Sequence, residues 1–203
     1  MTKTKKIILI IDIILLTILT LAVMLNKTVT FDEWIFKTLH EITDGKFLDF
    51  FKLFTELGST KGIAITSIIV LVLLFKKGGI NNFINVASIA IINKTSKIII
   101  RRERPEWKLI EHGGYSYPSG HSMATFCLYG YLIFLANKYI KNKYLKYTIY
   151  IICGLIILLI GMSRIYLGVH YASDVIGGYL ITLAFLLIVT SIEKNYKIFA
   201  DKK

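Results

Sequence analysis

Cysteine, proline, arginine and acidic residues are all scarce in this 203-residue chain, and each scarcity excludes something. There are two cysteines, Cys127 and Cys153. Both lie inside apolar runs, so they read as small core residues and exclude a disulfide framework or thiolate metal site. The two prolines, Pro105 and Pro118, leave no material for a proline-rich linker, and no internal repeat or low-complexity tract is present. Thirteen acids stand against 25 lysines and arginines, a formal net charge of +12. In a soluble domain that surplus would suggest nucleic acid. Here most lysines sit in short loops between apolar runs, the positive-inside pattern of a membrane protein, and nucleic acid is disfavoured. Asp174 is the only acid between Glu111 and Glu193. No carboxylate cluster exists to hold Mg²⁺, so a two-metal reaction is disfavoured and no cofactor is expected.

What is abundant is hydrocarbon. The chain is 55% hydrophobic, with a mean hydropathy of +0.62. That predicts an all-α integral membrane protein forming a single domain over residues 1–203. Six spans are expected: 7–25, 62–75 with residues borrowed upstream, 80–100, 121–136, 147–162 and 169–192. Lys3, Lys5 and Lys6 hold the N-terminus in the cytoplasm. Lys76 and Lys77, the loop with Lys138, Lys141, Lys143 and Lys146, and the tail with Lys194, Lys197, Lys202 and Lys203 mark the same side. Between spans one and two, Phe31, Ile35, Leu39 and Ile42, then Phe47, Phe50, Phe51, Phe54 and Leu57, recur at helical spacing. They predict short amphipathic helices at the outer interface, packed on the spans or guiding a lipid tail. Asp12, inside the first span, has no assigned role.

This layout brings three polar stretches to one outer face. They are Lys97 with Arg104-Pro105, then Pro118-Ser119-Gly120-His121, then Ser163-Arg164 with His170 and Asp174. Their chemistry suits a phosphoryl group. All four arginines (101, 102, 104 and 164) fall near these stretches, and arginine's planar fork matches phosphate oxygens better than lysine's point charge. Lys97, Arg104 and Arg164 can neutralise such oxygens. Ser119 and Gly120 at a helix start offer a hydroxyl and backbone N–H groups aimed by the helix dipole. His121 is a candidate acid for a leaving oxygen. His170 and Asp174, four apart, would share one face of the last span, the carboxylate orienting the imidazole as a nucleophile. Arg101 and Arg102 fit charge behind the site, lipid head-group contacts or, equally, plain surface charge; His112 and Lys108 read as loop surface that could rim the site.

K-x6-R-P from Lys97 to Pro105, P-S-G-H from Pro118 to His121 and S-R-x5-H-x3-D from Ser163 to Asp174 resemble the tripartite signature of the type 2 phosphatidic acid phosphatase superfamily. The resemblance implies a membrane lipid phosphatase that needs no metal and works at the outer face of the plasma membrane. In it, Lys97, Arg104, Ser119, Gly120, His121 and Arg164 would bind phosphate, and His121 would also protonate the leaving group. His170 would form a phosphohistidine and Asp174 would be its partner. The layout is similar to bacterial members acting on phosphatidylglycerophosphate or undecaprenyl pyrophosphate; phosphatidic acid is the alternative substrate. A lipid phosphate and membrane lipids are thus the expected partners, with no obligate protein partner evident. Soluble haloperoxidases share a similar signature, but six apolar spans argue against them. A transporter would be expected to place its charges near the bilayer midplane within repeats, not at span ends. A non-catalytic scaffold is disfavoured by the intact set of residues.

Overall fold

The computed structural model describes the backbone of residues 1–200 and side chains through residue 193, so the basic tail from Lys194 onward lies outside the described side chains. The described residues form eight α-helices and two short 3₁₀ turns: α1 (Lys3–Met24), α2 (Val29–Thr43), α3 (Leu48–Thr55), α4 (Thr60–Leu73), α5 (Gly79–Ile100), α6 (Gly120–Tyr139), α7 (Lys143–Tyr166) and α8 (Ala172–Ala200). Their starts are written in the sequence. Thr2, Ser59, Ser119 and Asn142 each turn a side-chain oxygen onto a backbone N–H of the first helical turn, satisfying a donor the helix cannot.

Helix α6 is the axis of the bundle, packed against α5, α7 and α8; α1 lies on α8 and α4 on α5. The core gathers Ile89, Met123, Cys127, Tyr131, Leu135 and Leu186, so Cys127 is the small core residue expected, and Cys153 is likewise buried with a free thiol. Around the outside, Ile10, Ile18, Ile65, Val72, Ile91 and Ile151 are more than half exposed. A band of that kind would be untenable in water and is at home in hydrocarbon.

The span count comes out differently from hydropathy. Helices α1, α5, α7 and α8 are long and apolar enough to cross a membrane. Residues Leu48–Gly58 and Thr60–Leu73 pass for a fifth span only together, as a pair bent by 49° that is either a broken span or a re-entrant loop, so a second span would have to draw on upstream residues. The fourth expected span, α6, has 20 residues, enough for about 30 Å of helix, but is not apolar enough to count alone. Its neighbours shield it from lipid, so small and polar residues are tolerated there.

Helices α2 and α3 pack on the end of the bundle where α7 gives way to α8. Ile35 and Leu39 face Ile165, Ala172 and Val175, and Phe51 meets Tyr166. Phe31 and Ile42, expected on the same stripe, are exposed instead, and the face of α2 turned inward carries the buried Asp32. Lys5 lies beside Thr190 at one end of the α1–α8 pair and Thr20 beside Tyr117 at the other. In α1, Asp12 is buried with neither carboxyl oxygen partnered, and nothing in the structure explains it.

Candidate active site

Helix α5 stops at Arg101, whose left-handed backbone (φ 53°) turns the chain so that Arg102 and Arg104 point back under the helix ends. Residues 102–119 then run over the end of the bundle, pinned by the Ser116 N–H donating to the Arg102 carbonyl, that of Ser119 to Asp174 and that of Leu109 to Leu167. At Gly168 (φ 65°) the chain reverses between α7 and α8, and a Cβ there would sit 2.6 Å from the Trp107 carbonyl oxygen. Only glycine allows that approach.

This reversal corrects one expectation. His170 does not share a helix face with Asp174: it lies in the connection before α8, which begins at Ala172. The pair still meets, with Nδ1 of His170 3.3 Å from Oδ2 of Asp174. On the other side of the ring, Nη1 of Arg104 is 3.2 Å from Nε2. A guanidinium only donates, so Nε2 carries the lone pair and the proton sits on Nδ1, towards the carboxylate. Burial first, then Arg164 and Arg104, hold the imidazole well below its usual pKa, so it is neutral at pH 7. A neutral imidazole with its lone pair on Nε2 can act as a nucleophile once Arg104 yields that lone pair.

Asp174 is completely buried, and its oxygens accept from Arg102, Ser116, the Tyr171 N–H and His170. The other expected residues gather around this pair. Arg104 is fixed by the carbonyls of Gly113, Gly114, Tyr115 and Val169. Lys97 reaches the Tyr115 and Ser116 carbonyls. Arg164 is 1% exposed, donates to Thr55 at 2.8 Å, and leaves Nε and Nη2 without a partner. A buried cation so undersupplied is costly unless an anion completes it.

A cavity of about 390 Å³ is bounded at this end by Lys97, Arg104, His112, Gly120, His121 and His170, and continues between α4 and α5 along Ile63, Ala64, Phe83, Ala87 and Ala90. Ser119, Arg164 and Asp174 do not line it. Ser119 is buried, its hydroxyl accepting from the N–H and Oγ–H of Ser122, so it serves as the α6 cap. Gly120 sits against Asn93, whose side-chain amide donates to the Pro118 carbonyl.

Several residues take places that the sequence leaves open or does not show. Arg102 is no surface charge: its side chain is 8% exposed and bridges Asp174 and Asp32. Burial works against its charge, but Asp174 and Asp32 more than offset this, and its pKa is raised. Asp32 lies 70 residues before Arg102, and the only signal for it was an acid set in an otherwise apolar helical stripe. His112 does enter the site, its ring centroid 6.1 Å from His121 and 6.2 Å from His170. Burial, Arg104 and Arg164 lower its pKa to about 4. Gly58 lets its turn press on α6 and α7, since a Cβ would lie 2.6 Å from Ile160, 3.1 Å from Thr125 and 3.3 Å from His121. Among the described residues, no group of three histidine, cysteine or acidic side chains is placed to hold a metal ion.

Comparison with known proteins identifies the family and the fold. The described fold matches the crystal structure of a transmembrane PAP2-type phosphatidylglycerolphosphate phosphatase from Bacillus subtilis, with a TM-score of 0.84 and 28% identity over 92% of this chain and 96% of that one. Phosphatidylglycerophosphatase B of Bacillus subtilis is 37% identical over 115 residues, 55% of this chain and 56% of that protein. Lipid phosphate phosphatase delta of Arabidopsis thaliana is 29% identical over 91 residues, 44% of this chain and 22% of that one. The chain thus spans about half or less of the length of these two relatives. The PAP2 superfamily model matches residues 80–197, which hold all three polar stretches, and the chain belongs to that superfamily.

Proposed function

We propose that the chain hydrolyses a phosphate monoester or diphosphate on a membrane lipid, without a metal ion, through a phosphohistidine on His170. The observation that carries this is the state of His170: Nδ1–H towards a buried carboxylate, and the Nε2 lone pair at the cavity wall beside Arg104. Nε2 attacks phosphorus, forming a P–N bond as the bond to the lipid oxygen breaks, and His121, having taken up the proton carried in by the phosphate monoanion, passes it to that oxygen. Water then attacks phosphorus, the P–N bond breaks, His121 takes the water's proton and inorganic phosphate leaves. Lys97, Arg104 and Arg164 meet the phosphate charge, with Ser119 and Gly120 at the α6 N-terminus supporting the same group. Three cations supply what a divalent metal would, and both nearby carboxylates are already committed to Arg102.

The apolar length of the cavity between α4 and α5 suits a lipid tail, and small exposed residues at Ala64, Ala87 and Ala90 leave its side open towards the bilayer. A transporter reading would need the charges near mid-bilayer, whereas these cluster at helix ends. Counting α6 as the sixth span, the lysine-rich connections fall opposite the site, which supports cytoplasmic termini and a site at the outer face of the plasma membrane. Phosphatidylglycerophosphate is proposed as the first substrate, since both Bacillus subtilis proteins are named for it. Undecaprenyl pyrophosphate and phosphatidic acid present the same terminal phosphate and are the alternatives. The test is phosphate release by the purified protein from these three lipids with EDTA present. Turnover of at least one that survives EDTA and is blocked by vanadate is expected; strict Mg²⁺ dependence would contradict the metal-free route.

A further inference from the structure

Two buried carboxylates, from opposite ends of the sequence, share one cation beside His170. Arg102 places Nη1 2.6 Å from Oδ1 of Asp174 and Nη2 2.8 Å from Oδ2 of Asp32, and neither carboxylate side chain has exposed surface. Asp32 projects from α2 and accepts the Ser173 N–H at 2.8 Å and the Ser173 hydroxyl at 2.7 Å. Thr28 accepts from Arg102 at 3.0 Å, and the guanidinium lies 3.8 Å above the Tyr171 ring. Every member is thus held in place.

The second carboxylate changes what His170 faces. An isolated Arg102–Asp174 pair would be neutral and would offer the Nδ1–H only a dipole. With Asp32 included, the three groups sum to one net negative charge. Once Nε2 bonds to phosphorus, positive charge builds on the ring and on Nδ1–H, and a nearby net negative charge stabilises it in proportion to its size. If the cluster only fastened α2 to α8, apolar side chains would do so at lower desolvation cost.

We propose that Asp32 is a positioning residue of the active site: acting through Arg102, it keeps Asp174 net anionic towards His170 and makes the reaction depend on α2 being docked on α8. This rests on His170 being the nucleophile. The test is a charge cycle, with kcat measured per folded protein in detergent. Asp32→Asn keeps the shape and leaves the cluster neutral; kcat is expected to fall at least about tenfold, the usual scale for a partner behind a reactive group, with KM within about twofold. Adding Arg102→Met returns the cluster to one net negative charge while removing further contacts. The double variant is expected to be at least about threefold faster than Asp32→Asn even with a lower melting temperature, a coupling sign that purely structural loss does not produce. Asp32→Asn at parental kcat, or a double variant no faster than the single, would overturn the proposal. His170→Ala in parallel separates the two ideas. Turnover retained there removes the nucleophile reading itself, whereas a dead His170→Ala beside an indifferent Asp32→Asn removes only the role of Asp32.

Discussion

One guanidinium nitrogen of Arg104 lies 3.2 Å from Nε2 of His170, the nitrogen proposed to attack phosphorus. The arginine therefore donates to the lone pair of that nitrogen. Its Nε and Nη2 are tied to the carbonyls of Gly113, Gly114 and Tyr115, so the guanidinium cannot leave; an arriving phosphate oxygen has only to take over the Nη1 N–H. In the proposed reaction the same residue guards the nucleophile and binds the substrate.

Arg104→Lys keeps the charge but not the fork that holds four carbonyls and reaches His170. Steady-state kinetics should show kcat/KM reduced by about 10²-fold or more, the scale of losing one aimed donor.

Arg164 should separate activity from stability. Arg164→Met removes a buried cation that has one side-chain partner and two unpartnered nitrogens. The predicted loss in kcat/KM is about 10²–10³-fold, while the melting temperature in detergent stays level or rises, since the uncompensated charge is gone. A marked fall in melting temperature would mean that Arg164 is structural.

The groove between α4 and α5 should read chain length. Ala90 is small, exposed and on the cavity wall, so Ala90→Phe fills the path without touching the phosphate end. The KM for a long-chain lipid phosphate should rise, and that for a short-chain analogue should not.

Acid should destabilise the protein partly through His112. Its folded pKa of about 4 lies below the unfolded value of 6.5, so the unfolded chain binds more protons between those values. Stability from this group is complete above about 6.5 and is lost as pH falls towards 4. In thermal melts over that window, His112→Gln should flatten the acid slope; an unchanged slope would contradict the burial of His112 as a neutral ring.

Local features of this molecule are legible in the chain, and distant pairings are not. The helix start at Ser119 follows from capping chemistry, and the run from Ile7 to Leu25 reads as a span because nothing polar but Asp12 and two threonines interrupts it. Lys97, Arg104, His121 and His170 converge because hydropathy alone puts their stretches at one end of the bundle. The helical spacing of His170 and Asp174 gave the right contact through the wrong conformation, since the Gly168 reversal puts His170 outside the helix. Arg102 is legible as charge behind the site, but Asp32 and its pairing with Arg102 escape notice because an ion pair across 70 residues leaves no periodic trace. Helix α6 is ambiguous as a span because its neighbours, not its own side chains, supply its apolar surroundings.

The central claim is a covalent bond to His170, and the direct measurement is single-turnover trapping with a lipid carrying ³²P in its terminal phosphate. The account predicts an alkali-stable, acid-labile labelled protein that forms and decays at the rate of turnover, together with no label and no phosphate release in His170→Ala. Phosphate release at an undiminished rate in that variant, or turnover with no labelled protein at any time, would contradict it.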